Sequence, residues 1–323
     1  MNDLAAVYRA RSGRYPDYWL LLITLVLVVF GLVMVYSASV MVAVRVGLPE
    51  NYYFLRELEF GAVGFVALVM VGAFDYRKLR PLATPGYMVA TLLLLLVLVP
   101  RLGIRVDGAQ RWIALGPLGQ LQPSELVKLA VVLLLAKAFS ERADSARGPQ
   151  GLFLKFLLPT ALPALLVMRE PDLGTTCILV ATAFAVYVAA GASLWLLPLV
   201  GSGLAAGFAG LVVIAPYRLG RIQVFRALFV NPWDQNALDK LQAQGDSYHI
   251  QQAVLALGSG GPFGLGLGYG RQRFGFLPAP HTDSIYAIIG EELGLVGCAM
   301  VIVLFVLLAW RGFRIARQCP DRF

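Results

Sequence analysis

The stretch "HTDSIYAIIGEELGLVGCAMVIVLFVLLAW", His281–Trp310, is apolar enough to cross a bilayer, yet it opens on His281 and Asp283 and carries Glu291 and Glu292 two turns further in. From Asp283 to Trp310 there is roughly 42 Å of helix at ~1.5 Å per residue, against a hydrocarbon core about 30 Å thick. The excess length places Asp283 at or above the lipid boundary, where a carboxylate keeps its water. Glu291 lies roughly 12 Å deeper and needs a partner, so it faces protein rather than lipid. Gly290 and Gly294 form a G-x-x-x-G pair that predicts close approach of another helix.

The rest of the chain has the same character. Of 323 residues, 59% are hydrophobic and 14% charged, whereas soluble domains carry about 25% charged residues. The net charge of +8 reads as basic anchors of a multi-pass membrane protein, and nucleic acid is excluded as a partner. Cys177, Cys298 and Cys319 lack metal or disulfide spacing. The N-terminus is basic up to Arg14, but no small-residue cleavage site follows the first apolar run, which reads as a retained helix.

The expected fold is all-α, a polytopic membrane helix bundle. Apolar runs predict eight spans, at residues 18–39, 54–74, 82–100, 124–139, 152–168, 173–190, 194–216 and 282–310, the last with a basic end reaching residue 315. Pro159 and Pro163 kink the fifth. The division is a tail at 1–17, spans one to seven over 18–216, a long loop over 217–281, span eight over 282–315 and a short tail over 316–323.

Lys and Arg set the orientation. With the N-terminus in the cytoplasm, the inner segments hold Arg9, Arg11, Arg14, Arg77, Lys78, Arg80, Lys137, Arg142, Arg147, Lys155, Arg311, Arg314, Arg317 and Arg322. The short outer loops hold only Arg45, Arg56, Arg101, Arg105, Arg111 and Arg169. The odd polar residues then gather at outer ends of spans, so any chemistry faces outward.

Each motif has a plain reading beside a functional one. In "QPSELVK" Ser124 is the expected N-cap, and Glu125 and Lys128 stand three apart on one face. They form an interfacial ion pair with Lys128 snorkelling, or a cation held at a cavity for an anionic ligand. Trp112 beside Arg111 is an interfacial anchor or a wall of a polar-substrate site. "REPDLGTT" puts Pro171 and Asp172 at a helix start, with Arg169 just before them. "GSGGPFGLGLGYG", Gly258–Gly270, lacks the Gly-Lys-Ser/Thr of a phosphate loop. It reads as backbone packed against the membrane surface, or as a moving segment. Tyr248–Leu257 reads as an amphipathic helix lying on the outer leaflet. Asp283 is a helix cap or a chemical group; Thr282 beside it suffices as a cap.

Together "GAQRWIALG", "QPSELVK", "EPDLGTT", "NPW", "GSGGPFGLGLG" and "FGFLPAPHTDSIYAIIGEELG", in that order, resemble the SEDS family (shape, elongation, division and sporulation). This is the family of RodA, FtsW and SpoVE, membrane glycosyltransferases that polymerise lipid II. The resemblance covers the chain after Asp17, and "RQRFGFLP" and "HTDSIYAIIGEELG" look closer to the FtsW/SpoVE branch. It implies that Asp283 matches the family's catalytic aspartate and Trp112 the functional Trp of its N-G-A-x-R-W motif, where Asp107 replaces Asn. It also implies ten spans, the last after a P-x-P-F-x-S-Y-G-G-S-S motif; this chain ends at "CPDRF", short of that motif. The implied partner is a class B penicillin-binding protein.

The chemistry expected is polymerisation of lipid II at the outer face. Asp283 serves as general base on the acceptor hydroxyl, and Arg111 and Lys128, with Arg169 behind them, face the departing undecaprenyl diphosphate. His281 and Glu125 belong to the same substrate site. A divalent ion, Mg or Mn, fits that work too, although no compact carboxylate cluster declares one. Two alternatives stand: a lipid II flippase, which needs polar residues along a whole pathway, and a non-catalytic scaffold of the division or elongation machinery.

Overall fold

The computed structural model describes residues 17–100, 102–106, 109–114, 116, 119–141, 151–170, 172–191, 198, 201–203, 205–207, 209–210, 248–319, 321 and 323. They fall into two compact units, 1–73 with 208–319, and 74–207 with 320–323. Among the described residues, Tyr18–Arg45, Tyr76–Leu98 and Ile285–Gln318 are long and apolar enough to cross a membrane, and Leu173–Ala189 is a shorter apolar helix.

The first unit contains α1 (Tyr18–Arg45), α2 (Tyr52–Ala73) and, later in the chain, the segment leading to the last helix, Ile285–Gln318. Asp17 starts α1 by accepting the Leu20 N–H at 3.0 Å. The same carboxylate lies 3.3 Å from Arg311, tying the start of α1 to the far end of the last helix. Met34 and Ala38 of α1 are buried against Ile288 and Val301, with Ala256 and Leu277 completing the cluster. The outward faces stay apolar, as lipid-facing surfaces require: α2 buries no residue at all.

The second unit contains α3 (Leu79–Leu98), a three-stranded antiparallel sheet of β1 (Gly103–Val106), β2 (Ala109–Ala114) and β3 (Gln120–Leu121), then α4 (Pro123–Ser140), α5 (Leu158–Arg169) and α6 (Leu173–Ala189). Leu94, Val131, Leu135, Phe156 and Tyr187 are at the centre of its core. The fifth expected span begins as a π-helical stretch, Gly151–Leu157, and becomes α-helical at Leu158, with Pro159 in the first turn and Pro163 inside. The sheet was not anticipated among the helices. Gln110 pins it to the end of α3 by donating to the carbonyls of Val97 at 2.9 Å and Val99 at 3.0 Å.

Chain order in the first unit resumes with α7 (Tyr248–Ser259) and α8 (Ile285–Gln318). Most of the expected seventh span, and residues 217–247 of the long loop, lie outside the described residues. The α7 segment is helical as expected, and it packs on α8, with Ala256 buried there.

The G-x-x-x-G reading holds at Gly290, where an added Cβ would collide with Leu257 of α7, but needs correction at Gly294. Gly294 leaves helical geometry (φ 67, ψ −162) and breaks α8 internally. A regular helix would bond the N–H groups of Leu295 and Val296 to the carbonyls of Glu291 and Glu292. Here those carbonyls accept from Leu265 and Gly266, both at 2.9 Å, while Leu295 and Val296 donate to Gly261 at 2.9 Å and Pro262 at 3.1 Å. The glycine-rich segment is thus laid into the break and exchanges four backbone bonds with it. It packs on α8. Glycine is required by contact: a Cβ on Gly264 (φ +81) would collide with the Glu292 carbonyl, and one on Gly260 with that of Gly290.

Gly264→Ala should therefore lower stability by more than about 2 kcal/mol. Gly31→Ala, in α1 with nothing within 4 Å of its added Cβ, should be neutral or slightly stabilising. Thermal unfolding in detergent of the two variants checks this; equal midpoints would contradict the exchange.

Candidate functional site

In the first unit the two glutamates of α8 are satisfied by the loop before it and by α1. Glu291 and Glu292 are both buried. Glu291 accepts the backbone N–H groups of Arg271 at 2.7 Å and Gln272 at 3.2 Å. Glu292 accepts the Ser37 hydroxyl of α1 at 2.7 Å. Two carboxylates inside a membrane helix are tolerable only with such partners. Their partners fix the loop 271–284 in turn.

That loop ends in a tight turn at residues 278–284. Ser284 donates to the Pro278 carbonyl at 2.9 Å and contacts His249 Nε2 of α7 at 2.8 Å. The backbone N–H groups of Thr282 and Ser284 both return to Ala279, which has φ 45. His281 is half-buried, its ring 4.6 Å from that of Tyr53. Burial lowers its pKa, so the imidazole is neutral at neutral pH.

Asp283 itself is exposed. The helix begins at Ile285 with Ser284 in the cap position and no side-chain cap bond. Asp283 is therefore one residue short of capping, and among the described residues its carboxylate holds no hydrogen bond or ion pair. The capping alternative is removed by geometry.

Between α1 and α8 runs an apolar cavity of about 750 Å³, lined by Leu25, Val29, Phe30, Val33, Phe263, Leu293 and Met300 among others. Its walls come from spans one and eight and from the glycine-rich segment.

The second unit gathers Arg111, Trp112, Glu125, Lys128 and Arg169. Ile104 pairs with Trp112 and Arg105 with Gln110, so Arg111 is the extra residue of a β-bulge, a device that re-aims a side chain. Arg111 Nε donates to the Glu170 carbonyl at 3.0 Å, and its Nη1 lies 3.6 Å from Asp172. Asp172 caps α6, accepting from the Thr175 N–H and hydroxyl, each at 2.9 Å. Trp112 is half-buried on β2, and Arg169 is the exposed last residue of α5. Lys128 and Glu125 meet at 2.8 Å, Glu125 being the more exposed. Ser124 is not the N-cap: Gln122 takes that position, Pro123 opens α4, and the Ser124 hydroxyl is buried without a partner. Pro123 takes the first helical position, which leaves Ser124 as the second helical residue. Asp107 lies outside the described residues. Among the described residues no cluster of three or more His, Cys, Asp or Glu stands ready to hold a metal ion.

Sequence reading passed over Glu170. It is 1% exposed and neither carboxyl oxygen has a hydrogen-bond partner. Burial first, then the charge of Asp172, push its pKa up to about 8 against the pull of Arg111. Glu170 is a neutral acid at pH 7. The available signal was a carboxylate confined to a short turn between two apolar helices.

A carboxyl whose folded pKa is raised from 4.5 to about 8 holds its proton more tightly folded than unfolded. Its contribution is full at pH below about 4.5 and declines as pH rises to about 8. Glu170→Gln removes that titration. Its melting temperature, relative to the parent, should rise steadily between about pH 5 and 8; a constant difference would contradict the protonated state.

Comparison with known proteins follows the same lines. The model of the FtsW/RodA/SpoVE cell cycle protein family matches residues 18–323. The chain is 38% identical over 309 residues to Stage V sporulation protein E of Bacillus subtilis, covering 95% of this chain and 81% of that protein. It is equally 38% identical over 309 residues to a probable peptidoglycan glycosyltransferase FtsW of Trichlorobacter lovleyi, covering 95% and 77%. In fold it is similar to the rod shape determining protein RodA of Thermus thermophilus, with TM-score 0.63, 26% identity, and 94% and 76% of the two chains covered. It is also similar to a chain of a peptidoglycan synthase complex that coordinates polymerization and crosslinking, with TM-score 0.68, 26% identity, and 94% and 79% covered.

Proposed function

Because the chain belongs to the FtsW/RodA/SpoVE family of cell cycle proteins, we propose that it polymerises lipid II into glycan strands at the outer face of the membrane, with Asp283 as the general base. The chain is a multi-pass membrane protein and a peptidoglycan glycosyltransferase. The N-terminus is cytoplasmic in this reading, which puts the turn 278–284 on the outer side.

One observation carries the assignment of the base. In a turn whose backbone and Ser284 hydroxyl are bonded internally or to α7, the Asp283 carboxylate alone is exposed and without a partner. A carboxylate in that state is open to an incoming hydroxyl, with no neighbour already occupying its oxygens. Glycosyl transfer needs this: the acceptor hydroxyl loses its proton to Asp283 as its oxygen attacks the anomeric carbon, and undecaprenyl diphosphate departs with the bonding pair. The neutral His281 beside it adds no competing positive charge. The cavity between α1 and α8 suits the prenyl tail, being apolar and formed by membrane helices.

Arg111, Trp112, Glu125, Lys128 and Arg169 keep their proposed place in substrate binding, with one change of emphasis. Arg111 and Lys128 already face Asp172 and Glu125, so a diphosphate must compete with those carboxylates for them. A class B penicillin-binding protein is the proposed partner; similarity to a synthase complex that couples polymerization to crosslinking supports it. A divalent ion, Mg or Mn, is compatible with the reading.

Asp283→Asn should reduce polymerisation of labelled lipid II by about 10²–10⁴-fold, the usual weight of a general base, while the protein elutes and melts like the parent. Glycan yield at the parental level would refute the base role. Reconstituted liposomes separate the transport alternative, since a flippase moves lipid II between leaflets without lengthening glycan.

A further inference from the structure

Arg45 closes α1, and its guanidinium crosses the loop that precedes Asp283. Its Nη2 donates to the Phe274 carbonyl at 2.7 Å. Gly275, with φ +96, lies directly beneath; a Cβ there would collide with the guanidinium. Arg273 approaches from the loop itself. Its Nη1 donates to the Ser37 carbonyl at 3.2 Å, its other Nη donates to the Gly268 carbonyl, and its Nε is buried without a partner. His281 Nδ1 is likewise buried without a partner.

These three side chains line one cavity of about 200 Å³, whose remaining walls are mostly apolar, among them Met41, Val42 and Leu277. No carboxylate lines it. Among the described residues neither Arg45 nor Arg273 has a carboxylate within ion-pair distance. This distinguishes them from Arg111 and Lys128. Two guanidinium groups in one pocket repel each other, and the arrangement is stabilised by an anion carrying two charges. A guanidinium is a fork of five donors; the carbonyl bonds named here leave donors on both arginines unused, and the fork matches phosphate oxygens bidentately.

We propose that Arg45, Arg273 and His281 form a phosphate-binding pocket that holds the diphosphate of a prenyl-linked sugar beside Asp283. The assignment rests on the reading of Asp283 as the base for glycosyl transfer. In it the arginines supply charge, and the neutral imidazole supplies one N–H. The pocket lies two residues from Asp283 along the chain, through His281, so that anion and base share one rigid turn. The competing account makes both arginines staples for loop carbonyls, with no ligand. That account predicts no discrimination between phosphorylated and unphosphorylated ligands.

The test titrates the full chain, in nanodiscs of neutral phosphatidylcholine, with undecaprenyl diphosphate, undecaprenol and inorganic diphosphate. Parent, R45Q/R273Q, R45K/R273K and Asp283→Asn are compared, with lipid II polymerisation measured alongside. R45Q/R273Q should weaken undecaprenyl diphosphate by at least about tenfold, the scale of one charge-assisted hydrogen bond, and leave undecaprenol unchanged. R45K/R273K, which keeps charge but loses the fork, should fall between. Unchanged affinity in R45Q/R273Q, or an equal loss for undecaprenol, overturns the pocket. Inorganic diphosphate binding as tightly as the prenyl ligand overturns the lipid-borne source. An inactive Asp283→Asn with unchanged R45Q/R273Q binding sinks the pocket and leaves the base. An active Asp283→Asn with weakened R45Q/R273Q binding does the reverse.

Discussion

Four backbone hydrogen bonds exchanged across Gly294 hold the first unit together. Breaking a helix inside a membrane strands two carbonyls and two N–H groups where water is scarce, and each such orphan costs several kcal/mol. The glycine-rich segment removes that penalty by supplying the N–H groups of Leu265 and Gly266 and the carbonyls of Gly261 and Pro262. Close approach of two backbones excludes side chains, which accounts for Gly260 and Gly264. Once the segment is seated, the loop after it meets Glu291, and the turn bearing Asp283 follows within a dozen residues. The two buried glutamates are part of this seat, and their acidity is used to bind loop N–H groups and a hydroxyl of α1.

Much of this was legible in the sequence. Apolar run length is a direct consequence of bilayer thickness, so the starts of the long helices were found to within about three residues, while α1 runs on to Arg45 and α8 to Gln318, past the expected ends at 39 and 310. The Glu125–Lys128 pair followed from helical spacing, and the capping role of Asp172 from its place before an apolar run. Glu291 was expected to face protein, since lipid offers it no partner. What escaped depended on partners distant in sequence. Gly290 and Gly294 have the spacing of a helix-packing motif; Gly290 does meet α7, but nothing local says that the helix breaks at Gly294 and accepts a loop there. The strands around Arg111 are too short and polar to stand out, and a bulge is a property of a pair of strands, invisible in either one. Ser124 lost the cap to Gln122 because Pro123 claims the first helical position.

The site residues divide by how their charge is already used. Arg111 and Lys128 are partnered by carboxylates, and Glu170 holds a proton because burial and Asp172 disfavour its anion. Asp283, by contrast, is an unspent carboxylate on a rigid turn, and Arg45 and Arg273 are cations held by carbonyls and, for Arg273, by the Phe274 ring, with no carboxylate partner among the described residues. Chemistry that separates a proton from a hydroxyl and an anion from a sugar needs groups of the second kind. The family's glycosyl transfer is then a matter of rigid placement, with the membrane helix serving as the mount.

Amide hydrogen exchange at Leu265, Gly266, Leu295 and Val296, measured in a preparation that polymerises lipid II, tests that mount most directly. The account predicts strong protection at all four, lost together with protection of the Arg271 and Gln272 amides. Exchange of Leu265 and Gly266 at free-peptide rates in fully active protein would contradict it.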